Sequence, residues 1–457
     1  MRAEILELYL NKTHIGQMHP YKNAGSVAFE YDPDYSLDQT PLSLSMLDHT
    51  VVYRSPFRKF LLNLRPDDSD KLAQLARSHE FSADNLFKYF SILGLDCAGA
   101  LQFVLPGEAA KIQSREERLE PISDEEIEKR LYDVRTNPKD PGIRSGEHIS
   151  LAGFQSKFAL HRQDGHWYKA LGGIPTTHIL KPGIQIFPHQ ALNEFLCMKI
   201  AERLGLNAAE VNYQHFGEET AIIVTRYDRA TGGNGNVYRL HQEDICQSLS
   251  VLPDQKYESE KGPTAADIVG LLDKHSLNVD RESNIKDFIS GLFFQYFMGA
   301  PDGHAKNYSV LLDGQRVRLA PLYDISSTFD IDNKTVTGGV FRLAQNIGGC
   351  KDFGDLHYSN IIKFAKRADV DADFVLEIAK RIATDIPDAT GETIEKYTQV
   401  DGVQYFREPF QRWSTKLSKM FLEDISKNRA GVYSDEHDDR NVTHNPELSF
   451  DTVSKSK

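Results

Sequence analysis

The densest group of chemically active side chains follows the largely apolar segment 288–298. A further acidic residue, Asp324, lies between apolar residues seventeen positions beyond Asn307, the last member of this group. Apolar segments seldom run straight into such a cluster unless a buried helix delivers a loop to a functional site. The group occupies six positions and comprises Asp302, His304, Lys306 and Asn307.

These residue types match the needs of phosphoryl transfer from ATP. The reaction needs a carboxylate beside the acceptor hydroxyl, a metal site and cations on the phosphates. Asp302 would accept or orient the hydroxyl proton, and Lys306 would reach the γ-phosphate. Asn307 and Asp324 would bind Mg²⁺, which prefers hard oxygen ligands and keeps several waters. The spacing therefore predicts the Mg-ATP and proton-transfer site of a phosphotransferase.

Upstream elements supply the remaining parts in the order of the kinase signature. Small residues in 150–160 form a loop between strand-like ends, where backbone N–H groups could approach phosphates near Lys157. Lys181 ends a predicted strand and would hold the α- and β-phosphates. Glu194, in the predicted helix 192–206, would fix Lys181 as an ion pair.

Each part has an ordinary alternative. Asp302 could belong to a plain turn, His304 could cap a helix, and Lys181 with Glu194 could form a surface pair. The loop alone could be a hairpin end with one glycine and a lysine. The joint order and spacing favour the kinase interpretation.

Composition limits the class of protein. At 457 residues the chain can form two or three domains, and its 40% hydrophobic and 26% charged residues are ordinary for a globular protein. A net charge of -13 argues against wrapping nucleic acid by bulk charge. Four scattered cysteines, no signal sequence and no apolar run of membrane length predict a reduced, cytoplasmic protein without a membrane partner.

Hydrophobic periodicity predicts strands early in the chain and helices after residue 241. The charged stretch 115–130 is interpreted as a solvated helix or linker. The predicted strands are 4–10, 26–31, 50–53, 178–182, 221–229 with 237–240 as its hairpin partner, 308–312 and 316–319. The predicted helices are 70–79 capped by Ser69, 81–93, 192–206, 242–250, 264–272, 285–298, 359–368, 372–386 and 403–427.

Seven segments of the sequence carry a family resemblance: 96–103, 150–157, 177–182, 242–247, 256–258, 302–307 and 321–324. With these segments the sequence resembles the HipA family of bacterial serine/threonine kinase toxins over nearly its whole length. The resemblance implies an α+β, two-lobed, protein-kinase-like fold with a small β-rich N-terminal subdomain and a mostly helical C-terminal lobe. The expected divisions are a subdomain at 1–110, an N-lobe at 111–230, a C-lobe at 231–428 and a polar, disordered tail at 429–457.

The resemblance also implies a nucleotide site for ATP and Mg²⁺. Asp302 would be catalytic with Lys306, and Ser150 would be the serine that the kinase autophosphorylates to switch itself off. Thr225, Arg226 and Tyr227 would meet adenine, with Asp228 near the ribose. The phosphate loop would comprise Ala152, Gly153, Phe154, Gln155, Ser156 and Lys157. The remaining nucleotide-site residues would be Lys181, Glu194, His304, Ala305, Lys306, Asn307, Tyr323 and Asp324, with Asn307 and Asp324 on the metal.

The family implies partners as well. These are a HipB-type helix-turn-helix antitoxin, operator DNA bound through the antitoxin complex, and glutamyl-tRNA synthetase as the phosphorylated substrate, which halts translation and produces persistence. Phe154, Ser156 and Pro301 depart from common family members. Two alternatives remain: a catalytically silent corepressor that binds antitoxin and DNA, and a small-molecule or lipid kinase.

Overall fold

The computed structural model describes residues 5–21, 23–36, 38–109, 118–184, 187, 189–233, 235–329 and 342–429. The chain divides into two compact units. Unit 1 contains 1–192, 209–256 and 308–321, and unit 2 contains 193–208, 257–307 and the described residues after 321. The predicted boundaries at 110, 230 and 428 stay predictions, and 430–457 lie outside the described residues.

A four-stranded antiparallel sheet begins unit 1, with strand order β3–β2–β1–β4. Helices α1 and α3 pack on this sheet, and Phe57, Phe60 and Phe90 are buried in the shared core. The elements are β1 (Leu6–Leu10), β2 (Thr13–Tyr21), β3 (Asn23–Tyr31), α1 (Ser55–Asn63), α2 (Ser69–Ser78), α3 (Leu86–Leu93) and β4 (Leu101–Val104).

Three predictions in this region were wrong in detail. Asp68, rather than Ser69, caps α2, because its side chain accepts hydrogen bonds from the backbone N–H groups of residues 70 and 71. The predicted strand 50–53 contributes only an isolated bridge, from Tyr53 to Phe29. The predicted helix 81–93 begins at Leu86, where the Asn85 side chain caps it.

A six-stranded antiparallel sheet follows in unit 1, in the order β5–β7–β6–β8–β10–β9. Helix α4 packs on it and buries Ile127 and Leu131, so the interpretation of 115–130 as solvated was wrong for this helix. The bounds are β5 (Arg118–Pro121), α4 (Asp124–Thr136), β6 (Phe158–Gln163), β7 (His166–Leu171), β8 (His178–Pro182), β9 (Val211–Phe216) and β10 (Glu219–Thr225).

Two smaller sheets complete unit 1. The strand 237–240 pairs with a short strand after β10 rather than with β10 itself. The predicted helix 242–250 is a strand followed by one helical turn. The elements are β11 (Arg229–Thr231), β12 (Val237–Arg239), β13 (His241–Asp244), α6 (Ile245–Ser248), β14 (Ser309–Asp313) and β15 (Arg316–Leu319), with the order β13–β14–β15 in the second sheet.

Unit 2 is mostly helical, which with the β-rich unit 1 confirms the predicted α+β class. Its central helix, α8, packs against α7, α10 and α11. Among the described residues, no helix is both long enough and apolar enough to cross a membrane. The elements are α5 (Gln190–Arg203, which begins in unit 1), α7 (Ala265–His275), α8 (Asn278–Phe297), β16 (Arg342–Ile347), β17 (Cys350–Asp352), α9 (Tyr358–Ala368), α10 (Ala372–Lys396) and α11 (Gln404–Arg429).

Candidate active site

Helix α8 delivers the loop that holds the densest cluster of polar residues. Residues 288–297, the last ten of the helix, are all buried. Gly299 follows with a φ of 60°, a left-handed conformation that glycine adopts without steric cost. A Cβ at Gly299 would also overlap the ring of Phe329. The loop therefore leaves a rigid, buried helix through a fixed turn, as expected from the sequence.

Hydrogen bonds close the loop 302–307 on itself. The His304 N–H donates to the Asp302 carbonyl oxygen at 2.8 Å, and Asn307 Nδ2 donates to the same oxygen at 2.7 Å. The Asn307 amide is thereby oriented with Oδ1 as its acceptor atom. Lys306 and Asn307 are buried, whereas the Asp302 side chain is 57% exposed. The loop presents one accessible carboxylate beside a buried cation and a fixed amide.

Tyr257 contacts both acid–base groups of this loop. Its hydroxyl donates a hydrogen bond to Oδ1 of Asp302. Its ring meets His304 edge-on, with the ring centroids 4.9 Å apart and the planes at 87°. His304 Nε2 lies 3.8 Å from the same Asp302 oxygen. No role for Tyr257 follows from the residue pattern alone, and its one signal in the sequence is its place in the segment 256–258 of the family resemblance.

Asp324 has a strained backbone that its neighbours hold. Its φ is 58°, in the left-handed region that is uncommon for a residue with a side chain. Before it, the Leu322 N–H donates to the Asn207 carbonyl oxygen at 2.8 Å. The Tyr323 hydroxyl donates to the Lys306 carbonyl oxygen at 2.7 Å, so the residue that precedes Asp324 is bound to the loop 302–307.

Glu194 lies in the same unit as both segments. It is buried in α5, and its neighbour Asn193 exchanges two hydrogen bonds with Ser327, three residues beyond Asp324. Asn193 Nδ2 donates to the Ser327 carbonyl oxygen at 2.9 Å, and the Ser327 N–H donates to Asn193 Oδ1 at 2.8 Å. Unit 2 therefore brings together the predicted base, both predicted metal ligands and the helix of Glu194.

Unit 1 holds the predicted phosphate loop directly before β6. Gly153 has a φ of 97°, and a Cβ there would fall 2.7 Å from Lys157 Nζ. Glycine thus allows both the turn and the folding of Lys157 across the loop. Gln155 Nε2 donates to the Pro182 carbonyl oxygen at 3.2 Å, which joins the loop to the end of β8. Ala152, Phe154 and Ser156 complete the loop.

Ser150 is buried at the start of this loop. Its hydroxyl donates to the Leu64 carbonyl oxygen at 2.7 Å and lies 2.9 Å from the Tyr89 hydroxyl. Burial raises the pKa of Tyr89, so the phenol stays protonated and can donate to Ser150. Ser150 is 1% exposed in this conformation.

Lys181 lies in β8, paired with Ile222 of β10, and is 5% exposed. Thr225 ends β10 opposite His178. Both belong to unit 1, whereas Glu194 belongs to unit 2. The predicted ion pair between Lys181 and Glu194 stays a prediction.

Arg226 and Asp228 are occupied by contacts within unit 1. Arg226 Nε and Nη2 donate to the two oxygens of Asp228 at 3.0 and 2.8 Å. The Gly99 N–H also donates to Asp228, at 2.7 Å. Asp228 is 3% exposed, so this geometry favours a structural role and does not favour the predicted ribose contact. Tyr227, between them, donates its hydroxyl hydrogen to Gln242 Oε1.

This pair belongs to a larger buried cluster of charges, the Asp96 cluster. Asp96 accepts hydrogen bonds from Arg229 at 2.9 Å and from Arg239 at 2.7 Å, and Arg226 lies 3.5 Å away. Burial alone would raise the pKa of Asp96, but Arg229, Arg239 and Arg226 hold it well below its ordinary value. We define the Asp96 cluster as Asp96, Arg226, Asp228, Arg229 and Arg239.

Comparison with known proteins gives two family matches that together span most of the chain. The HipA N-terminal domain model matches residues 6–104, and the HipA-like C-terminal domain model matches residues 149–390.

Curated relatives match over similar lengths. One relative is Y4mE of Sinorhizobium fredii, which is named as a kinase. It is 32% identical over 87% of this chain and 92% of its own. The serine/threonine-protein kinase toxin HipA of Shewanella oneidensis is 30% identical over 85% of this chain and 89% of its own.

A solved structure from Shewanella oneidensis, described as the toxin–antitoxin system HipA, HipB and its operator DNA complex, has a similar fold. Its TM-score is 0.79 at 26% identity, and the match covers 93% of this chain and 99% of the solved chain. This match supports the predicted two-lobed, kinase-like architecture.

Proposed function

The chain belongs to the HipA family of kinases, and from this premise we propose that it is a serine/threonine kinase toxin that uses ATP and Mg²⁺. The observation that carries the proposal is the joined arrangement of the loop 302–307 and Asp324 at the end of α8. An exposed carboxylate, a fixed amide oxygen and a second carboxylate on a strained backbone form a set that suits Mg²⁺-dependent phosphoryl transfer.

Each residue has a proposed task in this reaction. Asp302 accepts the proton of the acceptor hydroxyl, and Lys306 neutralises charge on the transferred phosphoryl group. Asn307 and Asp324 hold Mg²⁺. Lys181 binds phosphate oxygens, with Glu194 as its proposed partner. ATP supplies the phosphoryl group.

The other site residues bind the nucleotide. The backbone N–H groups of the loop from Ala152 to Lys157 cradle the phosphates, for which Gly153 provides the necessary turn. The hinge at Thr225, Arg226 and Tyr227 meets adenine, and the Arg226 side chain is engaged in the Asp96 cluster. Tyr323, His304 and Ala305 border the metal and phosphate site.

Purified full-length protein with γ-labelled ATP and Mg²⁺ tests the mechanism. The wild type should transfer label to protein serine, including its own Ser150, and Asp302→Asn should reduce transfer by at least about 10²-fold while still binding ATP. Asp273→Asn is the control, because Asp273 lies in a half-exposed surface pair with Arg281 in the same unit. Equal labelling by wild type and Asp302→Asn would contradict the role of Asp302.

We further propose that the acceptor is a serine of glutamyl-tRNA synthetase, as the family resemblance implies. Phosphorylation would inhibit translation and promote persistence. Phosphoproteomics after brief induction of the wild type and of Asp302→Asn identifies the acceptor directly. A synthetase peptide that gains phosphate only with the wild type is the expected result, and a different dominant acceptor would replace this substrate.

The partners proposed for this chain are a HipB-type helix-turn-helix antitoxin and, through it, operator DNA. The solved complex from Shewanella oneidensis contains HipA, HipB and operator DNA, and its chain is similar to this one over nearly its full length. Mixing the purified kinase with the small helix-turn-helix protein of the same operon should give a stable complex that retards an operator fragment. If the kinase neither joins the complex nor changes its mobility, the proposed partnership is incorrect.

A further inference from the structure

The tip of the loop 150–157 is tethered by a residue to which the proposed reaction gives no task. Lys71, in the first turn of α2, donates a hydrogen bond from Nζ to the Phe154 carbonyl oxygen. The same Nζ lies 5.6 Å from the centroid of the Phe154 ring. Lys71 is 5% exposed, whereas Phe154 is 68% exposed. A buried cation thus holds the tip of an exposed loop.

Backbone contacts fix the same tip independently. Pro66 forms a parallel bridge with Gly153, and the Asp67 N–H donates to the Gly153 carbonyl oxygen at 3.2 Å. Lys71 contacts the next carbonyl along the chain. Two consecutive carbonyl groups of the loop are therefore bound by the segment 66–71, which lies about eighty residues earlier in the sequence.

The buried position of Lys71 makes this tether sensitive to substitution. An ammonium group out of water is unfavourable unless charges and hydrogen bonds compensate it. Burial lowers the pKa of Lys71, whereas Asp68 and Asp140 raise it. Lys71 Nζ lies 4.0 Å from Asp68 Oδ2, and the Phe154 carbonyl oxygen and ring complete its surroundings.

We propose that Lys71 is a positioning residue that holds the loop 150–157 in its phosphate-binding conformation, an inference that rests on the proposed function of this loop. Lys71 acts on the nucleotide through the backbone of Phe154 rather than by contact. Without the tether, only the Gly153 backbone contacts hold the loop tip to the segment 66–71. The tip then leaves the start of α2 more often, and the N–H groups that cradle the phosphates lose their common orientation.

Chymotrypsin cleavage after Phe154 reports the position of the loop without any kinase assay. In the full-length protein, Lys71→Met should be cut after Phe154 at least about fivefold faster than the wild type, because the open loop is populated more often. Lys71→Arg keeps a cationic donor and should be cut at nearly the wild-type rate. Lys59→Met is the matched control, since Lys59 Nζ donates to the Ser250 carbonyl oxygen at 2.7 Å in the same unit.

Kinetics separate positioning from a general loss of structure. Lys71→Met should raise the KM for ATP about tenfold and change kcat less than about twofold, because phosphate binding is weakened and Asp302 is unaffected. Lys59→Met should leave both constants unchanged. If Lys71→Met does not fold, Lys71→Gln, with a shorter side chain, replaces it in both measurements.

The two measurements also distinguish this proposal from the proposed function. Equal cleavage of the wild type and Lys71→Met would overturn the tether, even if the protein is an active kinase. If Lys71→Met is cut faster than the wild type, and if ATP with Mg²⁺ slows the cleavage of every variant, the proposal is supported in full. If Lys71→Met is cut faster than the wild type but nucleotide changes the cleavage rate of no variant, the loop does not bind phosphate. That result would overturn the phosphate-binding role of the loop and, with it, the positioning role of Lys71.

Discussion

At the scale of single residues, the orientation of the Asp302 carboxylate is set by Tyr257, a residue that is distant in sequence. The Tyr257 hydroxyl donates to Asp302, and the Tyr257 ring packs on His304. A hydrogen bond to Oδ1 fixes the orientation of the carboxylate, which a proton acceptor in phosphoryl transfer requires. Glu258, the next residue, accepts two hydrogen bonds from Asn346, which fixes the backbone at Tyr257.

Tyr257→Phe should therefore slow turnover without weakening nucleotide binding. We expect kcat to fall about three- to tenfold, the usual range for losing one hydrogen bond to a charged, partly exposed group. The KM for ATP and the melting temperature should stay unchanged, because the ring remains on His304. Tyr238→Phe, at a 47% exposed tyrosine, is the control. An unchanged kcat in Tyr257→Phe would exclude this role.

The sequence predicted the residues of the candidate site better than their partners. Asp302, Lys306, Asn307 and Asp324 are recognisable because the chemistry needs these types at short spacing. Tyr257 lies 45 residues from Asp302, and Lys71 lies 83 residues from Phe154. Contacts of this kind arise from tertiary packing, and no local periodicity reports them.

At the scale of elements, helix α4 is fixed to unit 1 by a buried ion pair. Arg130 donates to both oxygens of Glu147, at 2.7 and 2.6 Å, and both side chains are at most 5% exposed. The guanidinium also stacks over the Phe158 ring at 4.3 Å. Glu147 lies three residues before Ser150, so the pair also supports the chain that enters the phosphate loop.

Glu147→Gln should lower the free energy of unfolding by about 3 kcal/mol, because it leaves Arg130 buried without its counter-charge. Reversible urea unfolding followed by circular dichroism measures the change. Lys169→Gln is the control, since it breaks a more exposed pair between β7 and Glu126 of α4 and should cost less than about 0.5 kcal/mol. Similar losses in both variants would contradict the importance of the buried pair.

Element prediction succeeded where apolar periodicity was clear and failed where polar residues are buried. The strands at 178–182 and 308–312 follow apolar patterns and were predicted within a few residues. Strand β13 was predicted as helix because its inward-facing residues are His241 and Glu243, which are 5% and 1% exposed. A strand that buries polar side chains has no hydrophobic alternation to detect.

At the scale of the molecule, the Asp96 cluster joins four distant segments of unit 1. Asp96, Thr176, the 226–229 turn and Arg239 meet in one buried network of charges and hydrogen bonds. Removing one partner from such a network leaves uncompensated buried charge. The stability of unit 1 should therefore depend on Asp96 more than on any surface carboxylate.

Asp96→Asn should lower the free energy of unfolding of unit 1 by at least about 3 kcal/mol at pH 7. Because the pKa of Asp96 is lower in the folded than in the unfolded chain, its contribution is present above the unfolded value of about 4 and is lost on acidification. The difference between wild type and variant should be constant from pH 8 to about pH 5 and shrink below about pH 4.

Urea unfolding at several pH values tests this dependence. Asp70→Asn is the control, because Asp70 lies in an exposed surface pair with Lys139 in the same unit. The control should differ little from the wild type at every pH. A difference for Asp96→Asn that grows on acidification would contradict the assigned direction.

Segments of the two units alternate along the sequence, so parts of unit 1 are synthesised on the ribosome only after part of unit 2. Strand β13 pairs with β14, and their facing residues Asp244 and Ser309 are 65 positions apart (309 − 244). At about 5–20 residues per second, β13 waits about 3–13 s for its partner to be synthesised. During that interval its edge is a template for pairing with other chains. A nascent chain that ends before residue 309 therefore carries β13 without either of the other strands of its sheet.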